Sequence, residues 1–121
     1  MGVYVFGVVD TDWIKVGHHR ITSARPNVYY RVARRGFHSC VHPPELQHHR
    51  LDVECLELLH WYPALGRREE RLAHRACRVS CGEFHARSDL VHVVACLNGF
   101  GTAEEVPESD RIAALRWAKK V

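Results

Sequence analysis

The sequence predicts a mixed α/β (α+β) domain with a small central three-stranded antiparallel sheet flanked by helices. Two observations carry that prediction. The chain opens with two short runs rich in β-branched and aromatic residues, "VYVFGVV" (3–9) and "WIKVG" (13–17), joined by the acidic turn "DTD". Beyond them, apolar residues recur at helical spacing in segments punctuated by proline and glycine, in the order β-β-α-β-α-(β)-α-α with no internal repeat.

The elements follow in turn. Residues 3–9 and 13–17 form a hairpin whose turn, 10–12, suits Asp and Thr because their side chains hydrogen-bond the local backbone. "SARPNVYYRVARRG" (23–36) reads as a helix, with Pro26 in its first turn, Val28, Val32 and Ala33 on one side and Gly36 as the stop. Its other face carries Arg31, Arg34 and Arg35, which taken alone is an ordinary solvated basic face. Residues 37–50 form a loop broken by Pro43-Pro44. "LDVECLELLHWYP" (51–63) reads as a third strand ended by Pro63, with a helix through "ECLELL" as the alternative. Residues 64–79 are helical, "GEFHA" (82–86) is a short edge strand or turn, and 88–101 is a helix with Ser88 or Asp89 as N-cap. A last helix spans 107–120. The 121 residues make one domain, with a core over about 2–97 and a C-terminal helical extension.

Composition narrows the function. With 46% apolar and 26% charged residues the chain is expected to fold rather than remain disordered. It has no run of membrane-spanning length and no charged-then-apolar leader, so an intracellular protein without a membrane partner is expected. A formal charge of +3, with ten histidines counted neutral, leans mildly toward polyanions. The five cysteines at 40, 55, 77, 81 and 96 are an odd number, expected as reduced core thiols or metal ligands rather than disulfides.

Four pieces in order raise a resemblance. "GVY" (2–4) and "KVG" (15–17), then "EERLAHRA" (69–76) and "CGEFHA" (81–86), resemble the motifs of the GIY-YIG nuclease superfamily in its short viral and phage form. The resemblance implies a viral or mobile-element endonuclease that hydrolyses phosphodiester bonds of DNA, duplex or branched, with one Mg²⁺ or Mn²⁺ ion. It implies Tyr4 as general base, Arg31 on the scissile phosphate, Glu70 as metal ligand, and a polar residue after "KVG" to position water or protonate the leaving group. His19 is taken for that last role, with His18 an equal alternative. Arg20, Arg34, Arg35 and Lys119 are the expected DNA contacts, the last in a basic helix with Arg111, Arg116 and Lys120.

The chain departs from the family at Lys15, where a tyrosine stands in the family's name. Chemistry gives that lysine a task. A free phenol has a pKa of about 10, too high for a base at neutral pH, and an adjacent ammonium favours the phenolate. A hard Mg²⁺ or Mn²⁺ ion suits a carboxylate plus waters, which fits Glu70, chosen over Glu69 because it stands four before His74. The planar fork of Arg31 matches two phosphate oxygens. Taken singly, Tyr4 reads as core packing, Lys15 as an edge-strand charge, Arg31 and Glu70 as helix-surface residues, and Glu83 as a turn anchor.

Two other readings come from the same residues. His74, Cys77, Cys81 and His85 offer four soft ligands for structural zinc, although their spacing follows no common finger. A second cluster, His38, Cys40, His42, His48 and His49, could bind zinc with Cys55. The alternative to the nuclease is a module of the same fold that binds nucleic acid or protein without chemistry, zinc-stabilised in one version. Lys15 for tyrosine, and Asn98 as the sole candidate for the family's closing asparagine, favour that alternative.

Overall fold

A computed structural model describes residues 2–19, 43–46, 55–110, 112, 113 and 116, and not the side chain of His19. The expected helix over 23–36 and most of the loop over 37–50 lie outside the described residues.

Strand β1 (Gly2–Val8) and strand β2 (Trp13–His19) form the expected antiparallel hairpin, with Tyr4 opposite Gly17 and Phe6 opposite Lys15. Its turn is held as the sequence suggests. Thr11 Oγ1 donates to the Val8 carbonyl at 2.9 Å and accepts from the Trp13 amide at 3.2 Å, while Asp10 takes the left-handed conformation at φ 60°. Strand β3 (Leu56–Tyr62) pairs with the other edge of β1, with a register irregularity between Val5 and Phe6. It begins five residues later than the sequence suggests and is a strand through "LELLHWY", not a helix.

The sheet has five strands rather than three. "SCGEFHA" folds into a small hairpin of β4 (Ser80–Cys81) and β5 (Phe84–Ala86), and β5 adds to the free edge of β2. The order is β3-β1-β2-β5-β4, antiparallel throughout. The two-residue turn Gly82-Glu83 works because Gly82 accepts φ 61°, the conformation such tight hairpins demand of their first central residue.

Helix α1 (Arg67–Arg75) and helix α2 (Leu90–Asn98) are shorter than the sequence suggests. Residues 63–66 form a turn before α1, with the Leu65 amide on the Tyr62 carbonyl at 3.3 Å. At the other end, the Val79 amide donates to Asp89 Oδ2 at 2.9 Å, so the chain has already left the helix there. Asp89 is the residue flanking α2, but its carboxylate serves Val79 and makes no cap bond, and residues 87–89 wind as a 3₁₀ turn. Residues 108–110, 112, 113 and 116 are helical, as expected over 107–120. No helix among the described residues is long and apolar enough to cross a membrane.

Side chains alternate across a strand, so β1 and β2 present two distinct faces. Val3, Val5, Ile14 and Val16 pack with Tyr62, Leu65, Ala73, Val93 and Leu97, which places α1 and α2 on that face. Tyr4, Phe6, Lys15, Trp61 and Phe84 fall on the other face, by their register, and are buried as well. Burial on both faces is why β1 reads as a continuous apolar run.

Candidate active site

Two polar clusters occupy neighbouring rungs of the β1–β2 ladder. On the face away from α1, the Lys15 ammonium, 1% exposed, donates to the Tyr4 hydroxyl at 3.2 Å and lies 5.1 Å from the Tyr4 ring centroid. The phenol reaches this place across Gly17, where any Cβ would fall on the Tyr4 ring and hydroxyl. The glycine of "KVG" is therefore needed for close approach rather than for its dihedral freedom. Lys15 also pairs with the Glu83 carboxylate at 2.5 Å. The Glu83 carbonyl accepts the Val16 amide at 3.0 Å, which fixes the β4–β5 turn beside the lysine. Glu83 thus does anchor a turn, and it is in addition the counter-ion of Lys15.

On the helix face, Glu70 projects from α1 and is buried to 6% exposure. His18 Nδ1 lies 2.5 Å from Glu70 Oε2, and His74 Nε2, one helical turn after Glu70, lies 3.6 Å from Oε1. Burial alone would raise the Glu70 pKa, but the histidines at 74 and 18 outweigh it and hold the carboxyl below its ordinary value. His74 Nδ1 in turn meets His85 Nε2 at 2.6 Å, and His85 Nδ1 meets the Val79 carbonyl and Ser80 Oγ, both at 2.9 Å. His85 is fully buried, and burial lowers its pKa.

The structure therefore brings together Tyr4 with Lys15, and Glu70 with His74, as pairs. It sets the pairs on opposite faces of the sheet, because Tyr4 and Lys15 share a face with Gly17 while His18 and the core valines share the other. Of the two histidines after "KVG", the side chain seen at Glu70 is that of His18, where His19 was preferred. Alternation dictates this, since His18 lies opposite Val3 on the helix face. Arg20, Arg31, Arg34, Arg35 and Lys119 lie outside the described residues.

The four expected zinc ligands do not gather into a ligand set. His74 and His85 meet through a hydrogen bond, Cys77 Sγ turns to the Ala73 carbonyl at 3.4 Å, and Cys81 sits on β4. Burial raises the Cys77 thiol to about 11, far from the thiolate that zinc requires. Among the described residues no three His, Cys, Asp or Glu side chains gather as metal ligands. An ionised, buried carboxylate with a second donor close by nevertheless fits a hydrated divalent ion, which needs only one or two protein ligands. His38, Cys40, His42, His48 and His49 lie outside the described residues, and Cys55 is a free, half-buried thiol.

Sequence reasoning missed the participation of His85 with His74, eleven residues apart, because only the β4–β5 hairpin folds one back onto the other. The signal available was "EFHA" itself, where alternation places the residue after Phe84 on the face opposite it.

No protein-family model matches the chain, and neither does any curated protein or solved structure.

Proposed function

We propose that the chain is a metal-dependent DNA endonuclease of GIY-YIG type. The observation that carries the reading is Glu70, a buried carboxylate kept ionised between His18 and His74, one rung from a buried Tyr4–Lys15 pair. Carboxylate, imidazole, phenol and ammonium are the groups that phosphodiester hydrolysis needs to hold a cation, move a proton and stabilise charge. When bound at Glu70, Mg²⁺ or Mn²⁺ would supply the positive charge that stabilises the phosphate as it is attacked. His18 takes the place first given to His19. Its Nδ1 donates to Glu70, which orients the ring and leaves Nε2 to position water or pass a proton to the leaving group. Lys15 stabilises negative charge on the Tyr4 hydroxyl, and Arg31 holds the phosphate through its fork. Duplex or branched DNA is the substrate, with Arg20, Arg34, Arg35 and Lys119 on the backbone phosphates.

A specific observation favours the second reading, a module of this fold that binds nucleic acid or protein without chemistry. Tyr4 and Glu70 stand on opposite faces of the sheet, and Glu83 neutralises Lys15. One experiment separates the two. Plasmid and branched DNA are incubated with Mg²⁺ or Mn²⁺ and with wild type, Tyr4→Phe, His18→Ala and Glu70→Ala. The nuclease reading expects metal-dependent cutting that falls by at least about 100-fold in Glu70→Ala and in Tyr4→Phe. Cutting lost in Glu70→Ala and His18→Ala but intact in Tyr4→Phe would confine the chemistry to the helix face. DNA binding with no cutting by the folded wild type would establish the binding module.

A further inference from the structure

We infer that Glu70 Oε1 and His74 Nε2 form a two-donor site for a borderline divalent cation such as Mn²⁺, preferred over Mg²⁺, and that His85 sets the tautomer that makes His74 a ligand. The inference deepens the nuclease reading and rests on it only for what the ion would do.

The argument is a chain of proton assignments. A carbonyl oxygen only accepts, so the 2.9 Å contact with the Val79 carbonyl places a hydrogen on His85 Nδ1. That carbonyl is itself held, because the amide of the same residue donates to the buried Asp89 carboxylate. Complete burial keeps the His85 ring neutral, so its Nε2 carries a lone pair. His74 Nδ1, 2.6 Å away, must then be the donor of that pair. A neutral His74 with its hydrogen on Nδ1 has its lone pair on Nε2, and Nε2 is the atom aimed at Glu70.

Two lone-pair atoms thus face each other at 3.6 Å, too far for a hydrogen bond between them. Ligand atoms each about 2.1 Å from one ion and about 90–110° apart are about 3.0–3.5 Å from each other, close to that separation. The other carboxylate oxygen is occupied by His18, so Glu70 offers one oxygen in a fixed direction. Both ligands have the outer partners typical of metal sites, His18 on the carboxylate and His85 on the imidazole. No third donor among the described residues completes the set, so water or phosphate oxygens fill the remaining positions. One imidazole nitrogen in place of an oxygen moves the preference from Mg²⁺ toward Mn²⁺ and its first-row neighbours.

The test is titration of the intact protein with Mn²⁺ alone, following free Mn²⁺ by its paramagnetic resonance signal, with Mg²⁺ as competitor. Wild type is expected to bind Mn²⁺, and Mg²⁺ to displace it only at tenfold or greater excess. His74→Ala and Glu70→Gln are each expected to weaken binding about tenfold or more, and His85→Phe by 10–100-fold as an outer partner. Circular dichroism establishes that each variant is folded. Because His85→Phe removes a buried polar residue, nitrogen-15 spectra of the wild-type imidazoles provide a second readout, free of mutation. They should show His85 and His74 both carrying hydrogen on Nδ1. Unchanged Mn²⁺ affinity in folded His74→Ala, no Mn²⁺ binding by wild type, equal affinity for Mg²⁺, or a hydrogen on His74 Nε2 would overturn the proposal. Mn²⁺ held through His74 without DNA cleavage would sink the nuclease reading alone. Mn²⁺-dependent cleavage with affinity indifferent to His74 would sink this site alone.

Discussion

A buried ammonium needs an anion more than it needs a phenol, and Lys15 has both. Its partner Glu83 is 40% exposed, so solvent screens the pair and its worth is well below that of a fully buried one. Glu83→Gln keeps a hydrogen-bond acceptor but removes the charge, and is expected to destabilise the fold by about 1–3 kcal/mol, as measured by urea unfolding. Lys15→Met removes the buried charge itself and should cost less. In the Lys15→Met background Glu83→Gln should then be nearly neutral, because the charge it compensated is gone. Equal costs of Glu83→Gln in both backgrounds would show that no ion pair is at work. Tyr4, Lys15 and Glu70 were legible in the sequence because each sits inside a short motif. The choice between His18 and His19 was not, since consecutive strand residues face opposite ways and only the docking of α1 decides which face holds the carboxylate. Glu83 as a counter-ion was equally hidden, since its partner is sixty-eight residues away in sequence.

The β1–β2 hairpin was legible as an element because its turn chemistry and both apolar runs lie within twenty residues. What the turn also needs comes from far along the chain. Arg87 reaches back to the carbonyls of Thr11 at 3.1 Å and Val8 at 3.0 Å, and its amide donates to the Asp12 carbonyl at 2.6 Å. Strands β4 and β5 were read as one short edge because two- and three-residue strands are too brief to show a period, and only pairing with β2 reveals them. The close packing inside the hairpin yields its own prediction. In Gly17→Ala the new methyl group falls where the Tyr4 phenol lies, so the phenol must move off Lys15 or the strands must part. The expected cost is about 1–3 kcal/mol, as for other overpacked sites, together with a fall in any cleavage that depends on Tyr4. Thermal unfolding with wild-type stability would show that the phenol has room to yield.

Across the whole molecule the buried ionisable groups respond to acid with the same sign. His85 and His60 have pKa values lowered by burial, so the unfolded chain binds more protons than the folded one once the pH falls below their ordinary value of 6.5. Stability is therefore lost on acidification through that first window, by up to about 1.4 kcal/mol per pH unit for each proton taken up on unfolding. Asp89 is held below its ordinary 3.8 by the backbone amides of Val79 and Arg78 against the opposing effect of burial. Glu70 is held below its ordinary 4.5 by His74 and His18 despite burial. The stability these carboxylates contribute is complete above those ordinary values and disappears as the pH falls through their lowered ones, which forms a second window. The mixed α/β class was readable from local patterns, but this coupling was not, because it depends on His85, Asp89 and Glu70 being buried together between the sheet and the two helices. Urea unfolding at pH 7.5, 6.5, 5.5 and 4.5 should show a steady fall that steepens again at the acid end. His85→Phe should be less stable than wild type at pH 7.5 yet lose less between pH 6.5 and 5.5, since one of the two protons is gone. A flat profile across the upper window, or the same slope in the variant, would mean that His85 titrates in the folded chain as it does in the unfolded one.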